Sequence, residues 1–278
     1  MNNLYKMLRA LILLVVCLLL KTGTAYSIEL MSPATQLGTK KVHAEIYFRT
    51  LAKQDLSLNV GGNTAIRVGA STITSSSSSD LEPEGSGDGV FAKVTFQPFE
   101  SGLRYYFIGG TGGYHLKVPS GTFSNTYSSD NPGFVLGGGI KYTIVPHTVV
   151  NPAFSVDLSA THSHYKLVKF HSGDGKASGD TGYLLTILEL QGAFTISKKF
   201  LFPLGDYRAS IDPYAGVKVI RTRTDMADLG TGSHFSGTRL TMAPFFGFKF
   251  KPFPYEGLVV EGSVFNETSA SIGLTLGF

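Results

Sequence analysis

The stretch Thr268-Ser-Ala-Ser-Ile-Gly-Leu-Thr-Leu-Gly-Phe278 decides how the rest of the chain is read. Side chains of a β-strand alternate between two faces. Ala270, Ile272, Leu274, Leu276 and Phe278 fall on one face, and Ser269, Ser271, Gly273, Thr275 and Gly277 on the other. One face is apolar throughout; the other is small or polar. A strand of this kind divides an apolar surrounding from a polar one.

The same alternation recurs upstream. Val42, Ala44, Ile46 and Phe48 interleave with His43, Glu45, Tyr47 and Arg49. Similar segments follow at about 55–73, 89–99, 102–117, 132–145, 152–168, 181–198, 210–223, 236–251 and 256–266. Most exceed the roughly 9–11 residues that a tilted membrane strand requires. Long polar links at 74–88, 118–131, 169–180 and 224–236 alternate with short ones near 100–102, 146–147, 202–207 and 252–256. Alternating link lengths are expected of a barrel whose two ends face different compartments. Helical periodicity is absent after the N-terminal segment, and no long internal repeat is visible.

The segments number eleven, whereas single-chain bacterial barrels have an even count. Splitting 55–73 at Gly61-Gly62-Asn63, a tight-turn sequence, gives twelve strands, the reading preferred here. Leu56, Leu58, Val60, Ile66, Val68 and Ala70 keep one parity, however, as in a single strand, and ten is the alternative.

The N-terminus adds a destination. Lys6 and Arg9 precede an apolar run from Ala10 to Leu20, and Gly23-Thr-Ala25-Tyr-Ser27 follows. A basic start, a short apolar run and small residues predict a secretory signal peptide over 1–27, cleaved after residue 25 or 27. Residues 28–40 read as a periplasmic lead-in and 41–278 as the barrel. Removing Lys6, Arg9 and Lys21 from 24 basic residues leaves 21 against 20 acidic, so the formal charge of +4 falls to +1. A nucleic-acid partner is not indicated. Cys17 lies inside the predicted signal peptide, and the remaining chain is left without thiol chemistry.

The closing strand, with its terminal aromatic residue, resembles that of bacterial outer-membrane β-barrels. The resemblance implies recognition of Phe278 as an assembly signal by the barrel-assembly machinery. Phe134-Val-Leu-Gly-Gly-Gly-Ile-Lys-Tyr142, Asp212-Pro-Tyr-Ala-Gly-Val217 with Ile196-Ser-Lys-Lys-Phe200, and Ala270–Phe278 are together similar to a family of uncharacterised outer-membrane barrel proteins, over about residues 60–278. That family has no assigned catalytic residues to carry across. The expected fold is an all-β, transmembrane, antiparallel up-and-down barrel in the bacterial outer membrane, with the surrounding lipid as partner. Nothing in the sequence fixes an oligomeric state.

Outward-facing candidates are Phe134, Leu136, Ile140, Ile144, Phe154, Val156, Leu158, Leu240, Met242, Phe246, Phe248 and Phe250. The opposite parity collects Glu45, Arg49, Arg67, Lys93, Lys141, Asp157, Glu189, Lys218, Lys249 and Glu261, with Asn59, Gln97 and Gln191. In a narrow lumen, opposite charges should pair, because an unpaired buried charge is costly. A strongly selective channel would show a ring of one sign; both signs are mixed here. The Gly137-Gly138-Gly139 run is expected to relieve crowding beside large interior side chains.

Candidate catalytic residues lie at the upper strand ends. His162, His164 and His171 lie near Ser163, Ser172 and Asp174, and His234 lies near Ser236. A Ser/His/acid hydrolase needs its base to orient against the nucleophile, and no spacing here enforces that. The same histidines lack the further ligand that would complete a metal site. Asp80, Glu82, Glu84 and Asp88 lack the fixed spacing of a calcium loop. The sequence therefore predicts no enzyme, metal or cofactor. It predicts an outer-membrane barrel with a structural or narrow passive pore role, its lumen lined by mixed charge. A surface-binding protein acting through its loops is the alternative, and a rim hydrolase a third reading.

Overall fold

A computed structural model describes residues 42–60, 64–68, 71–75, 79–98, 102–120, 123–148, 150–173, 178–204, 207–253 and 256–278. The predicted signal peptide and lead-in lie outside these residues. Ten antiparallel strands form the wall: β1 (Val42–Asp55), β2 (Glu84–Phe96), β3 (Leu103–Ser120), β4 (Gly133–Val145), β5 (Ala153–His171), β6 (Ser178–Ser197), β7 (Tyr207–Asp228), β8 (His234–Lys251), β9 (Glu256–Ser263) and β10 (Glu267–Gly277). Each pairs with its sequence neighbours, and β10 pairs back to β1 from His43↔Gly277 to Gln54↔Glu267. The sheet closes on itself, leaving no edge along that seam.

Two ends are distinguishable. The proximal end carries Val42, Phe278 and the short links, with Gly102 (φ 77°) supplying the left-handed residue of one turn. The distal end carries the long links.

The expected twelve strands are corrected to ten. The segment 55–73 adds no membrane-length strand to the wall, which it meets in a single bridge, Asn59↔Ser236 on β8. It breaks into Leu58–Val60, Thr64–Val68 and the start of Ser71–Ser75, which lie outside the closed circuit with Ser79–Leu81. The cause is the short hairpin β9–β10, whose apex stops well below the distal end of β8 and level with the end of β1. Val264 N donates to Pro244 O at 3.2 Å, and Asn266 Nδ2 to Met242 O at 3.2 Å. The chain leaving β1 passes over the notch above this apex. Asp55 N donates to Asn266 O (3.3 Å), Leu56 N to Pro83 O (2.9 Å), and Arg239 Nη1 to Leu56 O (3.2 Å). Leu56 and Leu58 are buried. Their shared parity reflects plugging of a notch rather than a membrane crossing.

Outside the wall runs a continuous apolar belt. Ile46, Val94, Phe107, Leu136, Leu158, Phe194, Val217, Met242 and Leu276 all point outward, and Phe107 is 73 % exposed. The belt ends distally at residues such as His162, Arg221 and Thr238, all of which are exposed. Beyond that border the two faces exchange character. On β5, Tyr165, Leu167 and Phe170 point inward and are buried, while Lys166 and Lys169 are exposed. Thus the proximal part of the barrel is apolar outside and polar inside, and the distal part is the reverse. Water around the distal part explains the exchange, since apolar side chains there gain by turning away from it.

Candidate functional site

The interior is the feature to which the sequence assigns chemistry. Nine of the ten predicted lumen residues point inward and are buried: Glu45, Arg49, Lys93, Lys141, Asp157, Glu189, Lys218, Lys249 and Glu261. Arg67 is the tenth. It lies on Thr64–Val68, a strand that pairs only with Ser71–Ser75, away from the wall. Three inward charges were missed: Arg104, Asp212 and Glu267, each at most 2 % exposed. Leu103-Arg-Tyr-Tyr-Phe107 is apolar on both parities apart from Arg104, so alternation could not orient it. Glu267 follows the hairpin apex directly, where no periodicity had begun. Asp212 was legible, since it shares the parity of Lys218.

The charges engage one another in stacked layers. Nearest the proximal end, Lys249 Nζ donates to Glu45 Oε1 at 3.2 Å. Arg104 Nη2 donates to Thr143 Oγ1 at 2.7 Å. In the next layer, Tyr106 Oη donates to Asp157 Oδ1 at 2.5 Å, and Lys141 Nζ lies 3.9 Å from the other oxygen of Asp157. Lys93 Nζ stands 4.0 Å above the centre of the Tyr106 ring, a cation–π contact. Tyr214 Oη donates to Glu261 Oε2 at 2.9 Å.

The innermost layer centres on Glu267. Its Oε1 accepts from Lys218 Nζ (2.7 Å), from Arg49 Nη2 and from Ser263 Oγ (3.0 Å). Glu189 accepts from Gln54 Nε2 and, at 3.4 Å, from Thr161 Oγ1. On the inward faces, six buried bases (Arg49, Lys93, Arg104, Lys141, Lys218, Lys249) therefore face six buried acids (Glu45, Asp157, Glu189, Asp212, Glu261, Glu267), while the buried Asp88 lies on the outward parity of β2. The bore is balanced in charge and cross-braced. Among the described residues no single-sign ring lines it.

Aromatic side chains fill what the charges leave, and glycines make room for them. A Cβ at Gly139 would strike the Tyr106 hydroxyl; one at Gly216 would strike the Phe245 ring. Gly110 faces Phe91 in the same way. The expected function of Gly139 in relieving interior crowding is therefore observed. Glycine here is a steric requirement of the neighbouring ring.

Above Glu189 the polar bore gives way to an apolar plug. Tyr114 and Tyr165 stack at 4.8 Å with an interplanar angle of 20°. Tyr127, on the short strand Phe123–Ser129 that bridges β3 and β5, meets Tyr183 edge-on at 5.4 Å. Leu116, Leu167, Leu185, Met226 and Phe235 complete the plug. Burial pushes the Tyr183 phenol up to about 12, with the charge of Asp228 adding to the effect. Burial also pushes Tyr127 well above the ordinary tyrosine range.

The distal histidine group does not converge. Ser163 points into the barrel and is fully buried, whereas its neighbours His162 and His164 point outward. Opposite faces of one strand cannot provide a nucleophile and its base. His164 Nδ1 lies 3.3 Å from Thr186 Oγ1, and its ring stacks on Phe134 at 5.4 Å. Asp174 lies outside the described residues. Two of the acidic loop residues are engaged elsewhere: Glu84 with Lys53 at 3.1 Å, and Glu82 with Arg239 at 3.3 Å.

No protein-family model matches the sequence, and no curated protein matches it. The fold is similar to solved outer-membrane barrels. One is the outer membrane protease OmpT of Escherichia coli, with TM-score 0.47 and 12 % identity over 91 % of this chain and 100 % of that one. Another is the translocator domain of the autotransporter NalP from Neisseria meningitidis, with TM-score 0.44 and 9 % identity over 87 % and 90 %. A third is the monoaromatic hydrocarbon channel CymD, with TM-score 0.30 and 11 % identity over 92 % and 95 %. At these identities the likeness concerns fold alone and assigns no activity. It nevertheless corrects one expectation. The sequence reading excluded an enzyme; a protease, OmpT, is among the similar solved folds, and that exclusion is withdrawn. The chain is an all-β, antiparallel, closed ten-stranded barrel whose solved counterparts are bacterial outer-membrane proteins.

Proposed function

We propose that this chain is an integral outer-membrane barrel with a closed bore, serving as a structural wall element that holds a rigid distal platform outside the cell. The belt supports the location. A band of exposed aromatic and aliphatic side chains has no favourable place in water, and closed strands satisfy their backbone groups within lipid. Val42 and Phe278 then lie at the periplasmic end, and the distal end lies outside.

The closed bore rests on one observation: Lys218, Arg49 and Glu267 are at most 1 % exposed and meet at a single carboxylate oxygen. Water in a conducting lumen would leave such groups accessible. The tyrosine plug closes the same path a second time. A passive pore is therefore the weaker of the two roles read from the sequence. Phe278, 64 % exposed and tied by its N–H to Val42 O at 3.0 Å, is proposed as the element read during assembly.

The test is single-channel recording of the refolded chain in a planar bilayer, with insertion verified by heat-modifiable migration. A folded, inserted and electrically silent barrel is expected. Reproducible unitary steps whose ion selectivity changes in Lys141→Gln or Glu189→Gln would overturn the closed-bore reading.

A further inference from the structure

The outward face of β5, β6 and β7 carries basic groups that the bore does not use. Strand register sets His162, Leu188 and Arg223 in one row and Ala160, Leu190 and Arg221 in the next, which continues to Leu240 on β8. These side chains share the outer face, and Leu190 and Leu240 are 47 % and 70 % exposed. Arg221 is therefore a guanidinium set between two exposed leucines at the distal border of the belt. Among the described residues, Arg221, His162 and Lys166 have no ionic or hydrogen-bonding partner. Arg223 Nε, one position further out on the same face, shares Asp225 at 3.0 Å.

We propose that this face binds the phosphate of a lipid headgroup in the surrounding leaflet, with Arg221 as the principal contact. The proposal rests on the membrane reading above. Every buried base in the bore has an anion or a ring to face, but Arg221 meets only hydrocarbon beside it. A bare cation at lipid depth is unfavourable, and the cost falls toward zero only near the interface. The long arginine stem can lie on Leu190 and Leu240 while its head reaches the headgroup layer. A phosphate there accepts two parallel hydrogen bonds from one guanidinium. Neighbouring strands stand about 4.8 Å apart, so β5 and β7 are separated by about 10 Å. One headgroup on Arg221 and Arg223 thus comes within reach of His162, while its acyl chains cover Leu188, Leu190 and Leu240.

Leaflet lipid is the occupant favoured over soluble phosphate, because the site is continuous with the lipid-facing belt and its walls are apolar. The full chain is refolded into phosphatidylcholine vesicles doped with phosphatidic acid, with diacylglycerol, or with neither plus inorganic phosphate. Lipid retention is read by native mass spectrometry after release, and thermal stability by heat-modifiable migration. Phosphatidic acid should be retained and should raise the melting temperature, whereas diacylglycerol should do neither. Arg221→Gln with Arg223→Gln should weaken phosphatidic acid retention about tenfold, the scale of losing charge-assisted hydrogen bonds. Lys53→Gln, a distal outward lysine already paired with Glu84, should leave retention unchanged. Equal retention by the double variant, or equal retention of diacylglycerol, overturns the proposal. Stabilisation by inorganic phosphate alone assigns the site to a soluble anion and overturns the lipid. Failure of the unaltered chain to insert sinks the membrane reading itself, a result distinct from either.

Discussion

Lys218 and Glu267 meet 2.7 Å apart inside the barrel, from strands that are not neighbours, and both side chains are at most 2 % exposed. Arg49 reaches the same carboxylate oxygen from β1. One acid thus compensates two bases. Glu267→Ala should strip both bases of their partner and destabilise the barrel by about 3–5 kcal/mol. Lys218→Met should cost less, because Arg49 stays paired. Urea unfolding in vesicles, followed by tyrosine fluorescence, checks the order. Equal costs would show that Arg49 contributes nothing.

A second expectation concerns interior glycines. Gly139→Ala would drive a methyl group into the Tyr106 hydroxyl and Leu158 O. A loss of roughly 1–3 kcal/mol follows from overpacking. Gly192→Ala meets only the flexible end of Leu158 at 3.5 Å and should be nearly neutral. Comparing the two variants by heat-modifiable migration separates interior crowding from a general cost of altering strand glycines.

The chain crossing the notch is held by few contacts. Arg239→Ala removes its hydrogen bond to Leu56 O and its ion pair with Glu82, both partly solvated. Local opening of residues 56–83 should become easier by about 1 kcal/mol. The measurement is limited proteolysis of the folded barrel: cleavage within this segment should be several-fold faster while the strands stay intact. An unchanged cleavage rate would mean that Leu56 and Leu58 hold the segment without Arg239.

The distal tyrosines give a pH signature. Tyr183 is held near pKa 12, above the roughly 10 of an unfolded chain. Below pH 10 both states are protonated, and this contribution to stability is complete. Between about pH 10 and 12 the unfolded state loses the proton first, so stability falls as pH rises. Tyr183→Phe should flatten that fall, read from melting temperature against pH. A profile identical to that of the unaltered chain would place Tyr183 in water.

Much of this was legible from alternation. The belt, the closing strand and nine inward charges follow from period two, because one face must meet hydrocarbon. What alternation could not show is where the hydrocarbon ends. Leu56 and Leu58 keep the parity of a membrane strand, yet they plug a notch left by the short β9–β10 hairpin, and the two wall strands expected from 55–73 do not exist. Tyr165 and Leu167 face inward although their parity further down the strand is polar, because the solvent outside has changed. Arg104 was hidden among aromatic residues that are apolar on both faces. The pairing of Arg49 with Lys218 through Glu267 depends on barrel closure, which no local pattern encodes.

That closure has a kinetic consequence. His43 pairs with Gly277, so the seam joins residues at opposite ends of the described chain. Contacts this distant in sequence form slowly, since their loop entropy is spent before they contribute. The seam has no partner until the final strand has been made. Until then β1 presents an open edge, and edges of that kind recruit other chains. Shielding of that edge until β10 arrives, as much as the stability of the finished wall, then governs the yield of folded barrel.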